Sequence, residues 1–247
     1  MKTALLFLCA VMAAFAQPDI PRDSSTNRDC VVLLHGVASG PLWLKKIEWS
    51  LERRGYQVRS ISYPAARLSI ERLAREHVAP AVRRIELAPG GRIHFVTHSL
   101  GGLVVRQYLA ENAPENLGRV VMLGPPNQGI ELVDWLQDNW LYRFLLGPSG
   151  QQLGTGENDF PRRLGPVKFP LGVIAGDRSF NPFFSRMLPG RDDGRVSVAS
   201  TRVEGMSDFV TVRSSHTFMI WHRPAIEQVQ AFLETGRFYR KETASSE

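Results

Sequence analysis

The sequence predicts an α/β protein with about six mostly parallel strands and helices on both faces. Three observations predict it. Apolar runs such as Cys30-Val31-Val32-Leu33-Leu34 are unbroken rather than alternating, as strands covered on both faces require. These runs alternate with segments of helical periodicity, the order that gives right-handed crossovers in a parallel sheet. One run, Ile93-His94-Phe95-Val96, passes through a short turn at Ser99 directly into Leu103-Val104-Val105, so strand, sharp turn and helix follow one another.

The elements follow in order. Residues 30–35 form the first strand. Leu42, Leu44, Ile47 and Leu51 recur at helical spacing over 41–54, and Gly55 closes that helix. Residues 56–63 read as a strand ended by Pro64. Ser69 opens a long helical pattern to about residue 87, which Pro80 should kink or split. Pro89-Gly90-Gly91 makes a turn into the strand at 93–96, and 99–110 is helical. Strands follow at 119–123, at 167–175 with Pro170 breaking its start, and at 209–212. A helix over 224–233 ends the domain. Between the strands at 119–123 and 167–175 lies an insert, 130–166, whose first half is rich in Trp and Leu. Such a segment suits a lid, an acyl-chain wall or a helix docked over the sheet.

The flanks and the composition set the compartment. Lys2 and the apolar stretch 4–16, ending in Ala14-Phe15-Ala16, read as a signal peptide over 1–16 with cleavage after Ala16. The stretch is too short for a comfortable membrane span of about 20 residues. A secreted or periplasmic protein is therefore expected, with a linker at 17–29, the domain at 30–240 and a polar tail at 241–247. Cleavage leaves Cys30 as the lone cysteine, a small core residue with no disulfide partner. The formal charge is +6, yet the basic residues are scattered in pairs such as Arg53-Arg54, Arg83-Arg84 and Arg162-Arg163. No clustered footprint or recognised module points to nucleic acid. Attraction to an anionic membrane surface and a simply solvated Arg-rich exterior both fit this charge.

The segment Thr97-His98-Ser99-Leu100-Gly101-Gly102 carries the chemistry. A serine in such a turn has its hydroxyl lifted off the sheet and the next backbone N–H aimed at a developing oxyanion. Gly101 stands where a side chain would meet the strand, whereas Thr97 departs from the usual glycine. A helix cap is the plainer role for Ser99. His98 lines the pocket or packs on the sheet. His216 and His222 both follow the last strand as candidate bases. Asp177, Asp192 and Asp193 can each reach an imidazole from a loop at the carboxyl edge.

Four local matches carry a resemblance: His35-Gly36, Thr97 to Gly102, Gly124-Pro125-Pro126-Asn127-Gln128-Gly129, and Asp193-Gly194-Arg195-Val196 followed by His216. Together they resemble lipases and esterases of the α/β-hydrolase superfamily, similar to bacterial triacylglycerol lipases and glycosylphosphatidylinositol deacylase-like lipases. With the nucleophile after the third strand, the resemblance is to compact members lacking the first two strands of the larger versions. The chain order Ser, acid, His implies Ser99 as nucleophile and His216 as base, and the Asp-Gly-x-Val match implies Asp193 as acid, with Asp177 the alternative. Backbone N–H groups of Val37 and Leu100 would form the oxyanion hole, and His35 would be structural. In such lipases the third match is a Thr-Pro-His-x-Gly turn into the lid, and Pro126-Asn127 replaces Pro-His here. The resemblance implies a serine hydrolase acting on carboxylic esters of lipids or small molecules, with no metal or organic cofactor. An acyltransferase, thioesterase or lipid-remodelling deacylase would use the same residues, and an inactive interaction protein on this scaffold is the remaining class.

Overall fold

The computed structural model describes residues 28–240 except 38, 137 and 181–184. The expected signal peptide, nearly all of the linker and the polar tail lie outside the described residues.

Six strands make one parallel sheet: β1 (Cys30–Leu34), β2 (Gln57–Ile61), β3 (Ile93–His98), β4 (Leu117–Leu123), β5 (Leu171–Gly176) and β6 (Asp208–Val212). Their order is β2-β1-β3-β4-β5-β6. The chain leaves β1 outward to β2, then returns to β3 on the other side of β1. That reversal opens a crevice above the carboxyl ends of β1 and β3, where ligands of open α/β sheets bind.

Side chains along β1 alternate between two cores. Val31 and Leu33 face one layer, where α1 (Lys45–Glu52) contributes Ile47 and Leu51 and the terminal α8 (Arg223–Thr235) contributes Val229 and Phe232. Val32 and Leu34 face the other, with α2 (Ile70–Leu73), α3 (Ala79–Arg83) and α4 (Gly101–Asn112). The insert holds α5 (Glu131–Leu136), α6 (Trp140–Gln151), kinked at Gly147, and α7 (Phe160–Arg163), and it joins this second layer through Val133, Leu153 and Phe160.

Local differences from the sequence expectations have simple causes. A π-helical turn at Ala74–Val78 joins α2 to α3 and accommodates Pro80, which lacks an N–H and crowds the preceding turn. Helix then ends at Arg83 rather than near residue 87, yet Ile85 and Leu87 still pack on the core from irregular backbone. β5 starts after Pro170, whose carbonyl accepts from Val120 N–H at 2.9 Å. Among the described residues, no helix is long and apolar enough to cross a membrane.

Candidate active site

Ser99 follows β3 at φ 54°, the one non-glycine residue at positive φ among the described residues. Such a conformation costs about 1–3 kcal/mol and persists only where its surroundings enforce it. Here Ser99 N–H donates to Leu123 O and Gly102 N–H donates to Ser99 O, both at 2.9 Å. A Cβ at Gly101 would stand 2.6 Å from Leu34 O, so only glycine lets α4 start this close to β1. Gly102 is bare because a Cβ there would stand 2.9 Å from Pro125 Cβ, while Thr97 Oγ1, at 3.6 Å, would be in ordinary contact.

Three loops at the carboxyl edge bring the remaining groups together. Ser99 Oγ–H donates to His216 Nε2 at 2.9 Å, and His216 Nδ1–H donates to Asp193 Oδ2 at 2.7 Å. His216 and Asp193 are both buried. The other Asp193 oxygen accepts from the N–H groups of Arg195 (3.0 Å) and Val196 (2.9 Å), which fixes the carboxylate within its own turn. His216 N–H also donates to Asp193 O at 2.9 Å, so backbone and side chain both tie the base loop to the acid loop.

The other candidates stand elsewhere. Asp177, the alternative acid, does not meet His216; the exposed guanidinium of Arg191 holds its carboxylate in an ion pair. Asp192 turns away, accepting from Gly194 N–H at 2.7 Å and Ser185 Oγ–H at 2.9 Å. His222 stands at the N-cap position of α8 with no side-chain hydrogen bond to the helix, and partial burial and then the Lys46 charge lower its pKa. His98 neither lines open space nor acts on Ser99. Its Nε2–H donates to His216 O at 3.0 Å, and burial, followed by the His216 charge, pushes its pKa down to about 3.

The turn after β1 is clamped by contacts that sequence periodicity does not show. Gly36 packs against the serine, since a Cβ there would stand 3.0 Å from Ser99 Cβ. Gly36 O accepts from His35 Nδ1–H at 2.9 Å and Ser39 Oγ–H at 3.0 Å. In a planar trans peptide the N–H opposes the C=O, so anchoring Gly36 O fixes the direction of the Val37 N–H. His35 is held in turn: its ring stacks on Tyr63 with centroids 4.2 Å apart, and Tyr63 O–H donates to His35 O. Burial lowers the His35 pKa, which disfavours the charged ring. Leu100 N–H sits at the start of α4, where the first amides of a helix have no acceptor within it.

Asn127, in the third match, is fully buried and joins three segments. It donates to Thr201 O at 2.8 Å and accepts from Arg106 Nη1 at 3.1 Å, while Arg106 Nη2 donates to Gly165 O at 2.6 Å. Burial lowers the Arg106 pKa to about 10. This node locks both ends of the insert to α4.

Comparison with known proteins agrees with this architecture. Residues 29–238 match the family described as alpha/beta hydrolase fold, and the chain belongs to that family. The mature lipase BlEst2 of Bacillus licheniformis is similar at 18% identity and TM-score 0.64, over 88% of this chain and 96% of that one. A metagenomic carboxyl esterase matches at 18% identity and TM-score 0.62, over 81% and 68% of the two chains. Aspergillus fumigatus lipase B matches at 16% identity and TM-score 0.59, over 87% and 55%. The protein is a hydrolase-class enzyme of the α/β fold.

Proposed function

We propose that the protein is a serine carboxylester hydrolase acting on lipid or small esters. The observation that carries this reading is the continuous relay from Ser99 Oγ through His216 to Asp193, at 2.9 and 2.7 Å, on a strained turn above the sheet's reversal point.

In this reading Ser99 Oγ attacks the acyl carbon as His216 Nε2 takes its proton. Asp193 holds the Nδ1–H tautomer and stabilises the imidazolium that forms. The oxyanion accepts from Leu100 N–H and Val37 N–H, both fixed before substrate arrives, so little reorganisation accompanies charge development. His216 returns the proton to the leaving alcohol, and water activated by the same nitrogen releases the acyl group.

The test is hydrolysis of p-nitrophenyl esters of increasing chain length by the parent and by Ser99→Ala. Loss of about 10⁴-fold or more in kcat/KM, together with loss of fluorophosphonate labelling, is the expected result. Retained turnover in Ser99→Ala would remove Ser99 from the mechanism. The chain-length profile assigns the acyl preference.

A further inference from the structure

The rim of the crevice carries an aromatic ladder that the chemistry does not use. Phe180 follows β5, Phe218 lies just beyond His216, Trp221 ends the next turn and Trp43 follows β1. Phe180 meets Phe218 edge-on at 6.3 Å, Phe218 meets Trp221 at 5.9 Å, and Trp221 stacks on Trp43 at 5.1 Å. Trp221 Nε1–H donates to Trp43 O at 3.1 Å, which fixes the pair. Large faces nonetheless stay in water: Leu42 is 81% exposed, Phe180 70% and Phe218 54%. Exposed apolar surface of this extent marks an interaction site.

Charge identifies the occupant. The ladder is flanked by exposed Lys46, whose ammonium donates to Trp221 O at 2.6 Å, and by exposed Arg178 and Arg213. Along α1 and its C-cap, Lys46, exposed Trp49 and exposed Arg53 continue the pattern at helical spacing. Two nearby acids are engaged, Glu48 by Lys45 and Asp177 by Arg191, while exposed Glu52 at the end of α1 offsets part of the positive charge. Tryptophan and phenylalanine interleaved with cations is the composition of a surface that lies in a lipid interface beside anionic headgroups. A protein partner would be served by a drier, charge-depleted patch.

We propose that the Trp43–Trp221–Phe218–Phe180 ladder, with Leu42 and the flanking cations, seats the protein on an anionic lipid surface. Docked so, the rim beside His216 faces the bilayer. The binding stands without catalysis; its consequence, delivery of a lipid ester to Ser99, rests on the reading above.

The test is cosedimentation of the full chain with phosphatidylcholine vesicles, with and without phosphatidylglycerol. The parent should bind the anionic vesicles more tightly and lose that advantage at high salt. Leu42→Ser with Phe180→Ser should weaken binding about tenfold or more while soluble-ester turnover is kept. Lys46→Glu with Arg178→Glu should remove only the preference for anionic lipid. Unchanged binding by the folded apolar variant overturns the proposal, as does equal binding of the parent to both vesicles. Self-association of the parent that the apolar variant loses overturns it too, assigning the ladder to a second copy. A parent that binds vesicles but hydrolyses no soluble ester defeats the hydrolase reading and leaves the docking surface standing.

Discussion

The acid loop and the insert are neighbours with opposite surfaces. Around Asp193 nearly every polar group is buried and spoken for: Asp193 Oδ1 holds two amides, Asp192 holds Gly194 and Ser185, and Ser197 Oγ accepts from Ser200 N–H at 3.1 Å. Across from it, α5 and α6 turn Trp135, Trp140, Leu141, Phe144 and Leu145 to the outside. The two regions meet at Glu131, where the insert begins; its Oε1 accepts from Ser200 Oγ–H at 3.0 Å. Reaction geometry demands fixed hydrogen bonds, because a misaligned base loses the proton transfer. Contact with a substrate's apolar part demands only surface, which is cheap to vary and is left open. In the proposed function the contrast therefore separates a region for chemistry from one for substrate.

The largest expected effect tests which carboxylate belongs to the chemical region. Asp193→Asn should lower kcat/KM on a short soluble ester about 10⁴-fold, because the amide oxygen takes the Arg195 and Val196 N–H groups and the amide NH2 then donates to His216 Nδ1, stranding the ring in the wrong tautomer. Asp177→Asn should leave turnover near the parent value, since that residue is bound to Arg191. Equal losses in both variants would break the assignment.

The next effect sharpens the same side of the comparison. Tyr63→Phe keeps the stack on His35 but removes the bond to His35 O, and Ser39→Ala removes one of the two donors to Gly36 O. Each loosens the turn carrying Val37 N–H, so kcat should fall roughly tenfold with KM nearly unchanged. An equal rise in KM instead would make the turn a binding element. His98 gives a pH signature. Its folded pKa lies below its ordinary 6.5, at about 3, so between these values the unfolded chain binds the extra proton. Its contribution to stability is complete above about 6.5 and is lost as pH falls toward about 3. Urea midpoints across that window should fall less steeply with acidification in His98→Gln than in the parent. Parallel slopes would show that His98 does not carry the loss.

Legibility followed the range of the interactions. β1, β3 and β5 were readable because both-face burial writes unbroken apolar runs, and the turn at Ser99 because strand, glycine pair and helix are contiguous. The Pro80 disruption was readable, but its form as a π turn depends on how α2 and α3 lie on the sheet. Asp193 and Asp177 were indistinguishable from position alone, since both follow β5; the choice came from the Asp-Gly-x-Val resemblance. The structure separates them by the partner each meets, Arg191 in one case and His216 in the other. The Tyr63 clamp, the Arg106–Asn127–Gly165 node and the Trp43–Trp221 stack join residues 28, 59 and 178 apart, so no local period announces them. Exposure had no signal either: the Trp- and Leu-rich start of the insert suited a lid, an acyl-chain wall or a docked helix alike, and the structure leaves Trp140 and Phe144 exposed.

The smallest expected effect bears on that open face. Trp140 and Phe144 lie one helical turn apart on α6 and are 76% and 77% exposed, so truncating both removes no core. Trp140→Ser with Phe144→Ser should change turnover of a short soluble ester by less than about twofold, the range of surface substitutions away from special contacts. An acyl-chain wall on α6 further predicts a several-fold rise in KM for long-chain esters alone, because only a long chain reaches past the crevice to this helix. A uniform loss on short and long esters would mean that α6 supports the catalytic loops through Glu131. The separation between a region for chemistry and a region for substrate would then fail at the residue where the two meet.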